Sequence, residues 1–414
     1  MTDPNPEIPS PPLMPTNYVA DVSTDHTGWH NKVGWLLNTT TGVNVKVEGA
    51  VGDGLTDDTA AVQSALNKGA GGTVVFPPGV YLLGQIRIPV GTTVRGAGSS
   101  ASTLKVRAGL NDDFIVNTAG DSDITIESLA INGNKGQQTS GATARGIYLQ
   151  SCARLVMDRL HIFDVEGHGI HLSNVGTVVG QRASNMLLER CGSSTTNTYG
   201  SNLATTNVTD LTLTDIYSYD SYKAGFRLSG QGIVLNGCIA RRNGNGGIVT
   251  VSGDNLGCTV NGGIYADNGF VGGVGYGNAD GIRLVGSNSV IITGAVCSGN
   301  YGSGIGLHNT ATNITIVGGV YKNNGKQGGT PGAVEGRDGI TLNGNTSPVT
   351  DVTIVGVRCY DDQATKTQQY GVKFKGNVDF IAYTSSSTRG NLTGGYSNTS
   401  TTGTTIATSS LVGS

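Results

Sequence analysis

Eight twelve-residue segments of this chain align with one another without a gap: DITIESLAINGN (123–134), RLVMDRLHIFDV (154–165), DLTLTDIYSYDS (210–221), GIVLNGCIARRN (232–243), GCTVNGGIYADN (257–268), SVIITGAVCSGN (289–300), NITIVGGVYKNN (313–324) and DVTIVGVRCYDD (351–362). A shorter motif runs between them, a glycine followed by alternating strand residues, as in GIYL from Gly146, GIHL from Gly169, GIRL from Gly281 and GITL from Gly339. Its nearest copies are 22 and 23 residues apart, and the one gap of 56, from Gly169 to Gly225, has room for a further coil near Ser201–Ala204. A unit this short cannot bury its own apolar face and must stack on its neighbours. Coils of about 22 residues, with insertions budding from fixed corners, predict an all-β fold: a right-handed parallel β-helix.

The columns of the alignment assign faces. Ile126, Met157, Leu213, Leu235, Val260, Ile292, Ile316 and Ile354 share one apolar column, which must point inward. The last column is mostly asparagine: Asn134, Asn243, Asn268, Asn300 and Asn324, with Val165, Ser221 and Asp362 as departures. Asparagine tolerates left-handed backbone, and stacked asparagines can hydrogen-bond from coil to coil, so the column reads as a turn ladder. Composition agrees: 66 glycines and only 13% charged residues suit short strands joined by tight turns and argue against a helix bundle.

A net charge of −3 leaves no basic surface for phosphates, so nucleic acid is not an expected partner. Cys152, Cys191, Cys238, Cys258, Cys297 and Cys359 show no CxxC spacing and read as small buried hydrophobes, not metal ligands. No window reaches the roughly 18 apolar residues of a membrane span, so no membrane insertion is expected. The proline-rich start, MTDPNPEIPSPPLMP, has no apolar core of a signal peptide.

Three regions are expected. Residues 1–42, which carry both tryptophans, Trp29 and Trp35, form an N-terminal arm or adaptor for attachment or oligomerisation. Residues 43–385 form the solenoid, and 386–414 a Ser/Thr/Gly-rich C-terminal end. A short helix caps the stack, with Thr56 as its N-cap, Asp57 and Asp58 in its first turn, and Ala61, Val62, Ala65 and Leu66 on its apolar face.

The segment VKVEGAVGDGLTDDTAAVQSALNKGAGGTVVFPPGVY at 45–81 resembles the N-terminal motif of the pectate-lyase-like superfamily, which includes phage tailspike depolymerases, polygalacturonase-like hydrolases and mannuronan epimerases. PTNYVADVSTDHTGWHNKVGWLLN is similar, more loosely, to the N-terminal region of phage tail proteins. The resemblance implies a homotrimeric tailspike located in the virion, joined to other tail or baseplate proteins through residues 1–42 and presented to a bacterial surface polysaccharide. A non-enzymatic tail protein or adhesin, and a free bacterial lyase or hydrolase, are the alternatives.

Cleavage of a glycan chain needs two carboxylates about the scissile bond. Directly before the asparagine column stand Asp164, Asp220, Arg242 and Asp267. Asp220 and Asp267, two coils apart, would lie roughly 9–10 Å from each other, near the upper edge of the inverting range, with Arg242 orienting a charged sugar. Solvated turn acids are the competing reading. Tyr217, Tyr219 and Tyr222 are placed to stack on sugar rings, or to pack in the core. His168, beside Asp164 and Glu166, is a candidate base. The Gly167-His168-Gly169 triplet resembles polygalacturonases, yet their NTD and paired-Asp motifs are missing from the preceding coils. The epimerase run Tyr-Gly-Phe-Asp-Pro-His is replaced by His168-Gly169-Ile170-His171-Leu172-Ser173. No motif calls for a cofactor, although acids beside a sugar groove suit calcium.

Overall fold

A computed structural model describes residues 42–412 except 119, 139–143, 176–179, 194–199, 272–273, 276–278, 327–335 and 402–405. The expected adaptor, with Trp29 and Trp35, lies outside the described residues apart from Gly42. The rest is a right-handed parallel β-helix whose coils present three faces. The first face stacks short strands such as Thr125–Glu127 and Val156–Asp158. The second stacks Ala130–Asn132 and His161–Phe163, and the third Ile147–Gln150 and Ile170–Ser173. Registers in these strands run regularly, with Ile131 between Leu104 and Ile162 and Leu149 opposite Leu172, and shift at a few places such as Leu228–Gly230 and Gly344–Val349.

The corners are set by single residues in the left-handed region. Columns one, six and eleven of the twelve-residue repeat supply them, as in Asp210, Asp215 and Asp220, with φ of 53°, 50° and 53°. Three left-handed residues five apart turn two three-residue strands and release the chain toward the third face. Such a conformation costs a residue with a Cβ roughly 1–2 kcal/mol, which is why Gly237, Gly262, Gly294, Gly318 and Gly356 fill the sixth column of later coils.

The left-handed residue is the one before each asparagine of the ladder, not the asparagine itself, except at Asn134 with φ 50°. The asparagines instead point inward, fully buried, and are joined in series. The Asn243 N–H donates to Asn268 Oδ1 (3.1 Å), Asn268 N–H to Asn300 Oδ1 (3.0 Å), and Asn300 N–H to Asn324 Oδ1 (3.2 Å). Each side-chain amide donates onward to a strand carbonyl and to the next asparagine, as Asn268 Nδ2 does to Ala240 O and Asn300 Oδ1. At the end of the series the expected Asp362 is replaced by Gln368, whose Oε1 accepts from Asn324. Asp362 is exposed and pairs with Asn323, because the chain detours through 363–367 before re-entering the stack.

The inward column is buried throughout, Ile126 to Ile354. All six cysteines are buried free thiols. The coil hidden between Gly169 and Gly225 exists: Leu203 pairs with Ile170 on one side and Phe226 on the other. Its partner strand, Gln181–Glu189, is a further copy of the twelve-residue repeat that escapes alignment because a polar Gln181 takes an inward position, bonded to Arg154 N–H and Thr209 O.

The capping helix runs Thr59–Lys68, with Val62, Ala65 and Leu66 in the core, but it starts later than expected. The Thr56 hydroxyl is spent on Asp53, and Asp58 is the N-cap residue. The Asp58 carboxylate faces away from the helix to accept from Val51 N–H (2.7 Å) and Gly52 N–H (2.9 Å), fastening the preceding turn. Past residue 385 the parallel pairing continues. Tyr370–Gly376 pairs with Gly394–Ser400, and Tyr396 packs on Phe374 and Tyr383. Serine and threonine at buried positions, Ser386 and Thr388, hide that alternation in the sequence.

Replacing Asn268 with alanine removes the acceptor shared by the Asn243 backbone and side-chain amides. Urea unfolding of N268A should show a loss of about 2–4 kcal/mol, while N261A, on the exposed surface, changes stability by less than about 0.5 kcal/mol.

Candidate functional site

The third face carries a cluster of charged and aromatic side chains. Its strands place Tyr148, His171, Ala204 and Arg227 in one outward column on successive coils, while Ile147, Leu149, Ile170 and Leu172 point into the core. The turns entering these strands add Asp113, Arg145 and His168.

Arg145 organises the cluster. Its guanidinium grips Asp113 through two bonds, Nε to Oδ1 at 2.7 Å and a terminal nitrogen to Oδ2 at 2.6 Å, and lies 3.4 Å from the centre of the Tyr148 ring. Its other terminal nitrogen donates to His171 Nδ1 at 2.8 Å, so the His171 proton belongs on Nε2, which faces Thr206 Oγ1 at 3.0 Å. His168 lies with its ring 5.1 Å from that of His171, and its Nδ1 accepts the Ser201 N–H at 3.0 Å. Burial, reinforced by His171, Arg227 and Arg145, holds His168 down at about 3. Burial together with Arg145 and Arg227 holds His171 at about 4. Both imidazoles are therefore neutral at neutral pH and sit in a positive field. An anion delivered here would offset the guanidinium charge and raise both histidines toward the range in which they accept protons.

Further along the same face a second polar group forms. His308 Nε2 lies 3.3 Å from Asp280 Oδ2 and 3.2 Å from Arg283, and buried Asp338 accepts from the Thr341 hydroxyl at 2.7 Å. Burial raises the Asp338 carboxyl above its ordinary value.

The residues singled out in the sequence fall elsewhere, His168 excepted. Asp220 and Arg242 stand on adjacent coils at left-handed corners and form a two-bonded ion pair of 2.8 and 2.9 Å, with Arg242 also 5.4 Å from the Tyr219 ring. Asp267 is bonded to Lys326 at 2.8 Å, and Asp164 to Arg190 at 2.8 Å. Each acid is partly exposed and engaged by a cation, which is the arrangement of turn acids. Asp164 is thus committed to Arg190, and the bond made by His168 runs to the Ser201 backbone. Tyr217 and Tyr219 share the second face with rings 6.4 Å apart, whereas Tyr222 lies past the corner under Lys223. Arg145, Asp113 and Arg227 were missed in the sequence. For Arg145 and Arg227 the signal was available in the positions one before and two after each repeated glycine, where Arg145 and Tyr148, His168 and His171, and Asp280 and Arg283 recur; Asp113, before Phe114, has no such glycine. Among the described residues no cluster of histidine, cysteine and carboxylate is arranged to hold a metal ion.

Residues 42–262, just over half of the chain, match the family described as rhamnogalacturonase A/epimerase, pectate lyase-like. The chain belongs to that family. Within this pectate lyase-like family, similarity extends in two directions. Over 171 residues the chain is 28% identical to the pre-neck appendage protein of Bacillus phage phi29, covering 36% of this chain and 20% of that protein. Over 264 residues it is 27% identical to mannuronan C5-epimerase AlgE5 of Azotobacter vinelandii, covering 55% of this chain and 25% of the epimerase. The chain thus matches a quarter or less of these relatives' length. The A-module of the A. vinelandii epimerase AlgE6 superposes with a TM-score of 0.67 at 19% identity, covering 90% of this chain and all of the module, a likeness of fold.

The lowered histidines carry a pH signature. Between about pH 6.5 and 4 the unfolded chain binds protons at His168 and His171 that the folded chain refuses, so stability falls as pH falls through that window. Each histidine contributes a slope of up to about 1.4 kcal/mol per pH unit. Melting curves from pH 7 to 4 should show a flatter decline in H168Q/H171Q than in the parent.

Proposed function

We propose that this chain is the glycan-handling body of a phage tailspike-like protein, and that it binds an acidic bacterial surface polysaccharide along the third face. The observation that carries the reading is the Arg145, His168, His171 and Arg227 cluster, in which a buried His168 and a partly buried His171, both neutral, are held among guanidinium groups at the third face. Uronate carboxylates suit such a field, and planar guanidinium groups bind them in bidentate fashion. Support for a virion setting comes from the phage appendage relative, and for polysaccharide as ligand from the epimerase relative.

If the bound chain is also cleaved or modified, the chemistry belongs at His168 and His171 rather than at Asp220 and Asp267. A uronate carboxylate that draws Arg145 off His171 leaves the sugar's C5 proton acidified, releases the His171 Nδ1 lone pair and raises its proton affinity, so that Nδ1 can accept that proton. Asp220 and Asp267 are instead each closed on a cation, Arg242 and Lys326. Binding without turnover is the second reading. It is favoured by the two-bonded Asp113–Arg145 contact, which a substrate must share or displace.

Incubation of the full chain with acidic and neutral envelope polysaccharides tests the proposal, with chain length, reducing ends and ultraviolet absorbance of unsaturated uronates as readouts. Binding of the acidic chains should weaken at least tenfold in R145A and with rising salt, and D220N/D267N should behave as the parent. Equal binding of neutral and acidic chains, or loss in D220N/D267N alone, overturns it.

A further inference from the structure

The second face holds a groove that the charged cluster does not explain. It has a volume of about 860 Å³, within the range of small-molecule sites, and lies where the first and second faces meet in the N-terminal coils. The turn Gly96–Ser100 bounds one end, and Ser128, Arg159, Asn185 and Asp215 line it from four successive coils.

These four are the sixth-column corner residues. All are left-handed, with φ of 57°, 51°, 54° and 50°. In the next five aligned coils the same corner is glycine, from Gly237 to Gly356. Glycine is the unstrained solution, and the chain departs from it along the groove. An asparagine or aspartate tolerates this backbone; a serine and an arginine have less reason to be there. Along the groove this corner therefore presents four side chains where the later coils present none.

Three of them, Ser128, Arg159 and Asn185, belong to one polar network. Arg159 Nε donates to Ser128 Oγ at 3.0 Å and a terminal nitrogen to Glu127 at 3.1 Å. Asp158 accepts from Arg159 and, at 2.9 Å, from Asn185. Two residues past the corner, Tyr217 is 42% exposed, while its register partners on the preceding coils, His161 and Leu187, are half-buried. An exposed aromatic face beside amide, guanidinium and carboxylate edges matches a pyranose ring, with C–H bonds on one side and paired hydroxyls at its rim. Glu127 and Asp158 offset the charge of Arg159, and Asp215 adds another carboxylate, so the groove has no positive field to attract an acidic sugar.

We infer that this groove is a second glycan site, separate from the third-face cluster, and that it takes an uncharged pyranose segment stacked on Tyr217 and hydrogen-bonded to Arg159, Asn185 and Asp215. A chain with both charged and neutral sugars would then be held on two faces of one coil stack.

The test is saturation-transfer NMR and calorimetry on the full chain, with neutral tetrasaccharides of glucose, galactose and N-acetylglucosamine and with tetragalacturonate as the charged comparator. At least one neutral probe should bind with a Kd below about 1 mM. Affinity should drop at least tenfold in Y217A and in the triple variant R159G/N185G/D215G, and stay unchanged in R145A. Because glycine relaxes the corner, the triple variant should melt at or above the parental temperature. A triple variant that melts lower and binds normally would make these residues structural. Preference for tetragalacturonate, or no neutral probe bound, would equally overturn the inference.

Discussion

Everything in this molecule rests on coil-to-coil hydrogen bonding at a spacing of about 4.8 Å. Strands of three or four residues are too short to persist alone, and each is stabilised by a strand above and a strand below. The asparagine series extends the same logic to a corner, where backbone groups would otherwise be buried without partners. Asn268 satisfies two donors of the coil before it and bonds to two acceptors, so one side chain does locally what a strand does elsewhere. Insertions are accommodated around the ladder corner ahead of the third face, as at 363–367, because that is where one coil's hydrogen bonding ends and the next strand has yet to begin.

A rigid, periodic scaffold turns position in sequence into position in space. Arg145, His171 and Arg227 are far apart in the chain yet stand within a few coils on one face, and the histidines acquire their lowered proton affinity from burial and from those neighbours. The same periodicity puts ion pairs at the corners: Asp220 meets Arg242, and Asp164 meets Arg190, because equivalent residues of adjacent coils are in contact. Exposed pairs of this kind contribute little individually. Corner acids and face residues thus have different physical roles although both recur with the repeat.

That difference explains what could be read in advance. Inward columns such as Ile126 to Ile354 were legible because burial imposes an apolar choice on every coil. The asparagine series was legible for a related reason, since few side chains can both accept from and donate to the backbone at a buried corner. The extra coil around Leu203 was legible from a gap length. Gln181–Glu189 was not, because a polar side chain can occupy an inward slot once its hydrogen bonds are made internally. Sites were harder. A carboxylate column looks the same in sequence whether its members meet substrate or one another's cations, and only the coordinates showed Asp220 closed on Arg242. Arg145 stands outside the strand motif, in the turn before Gly146, and nothing local announces that its guanidinium reaches both Asp113 and His171.

The six thiols, buried and spread from Cys152 to Cys359, add a consequence of their own. Burial pushes their proton affinity up, with Cys191 and Cys258 at about 12, so they stay protonated and poorly nucleophilic while the coils are closed. None forms a covalent tie between coils, so the cohesion of the stack owes nothing to the redox state of its surroundings. Each cysteine instead becomes reactive only when its own coil opens, which makes the set a chemical ruler for where along the axis the solenoid first comes apart.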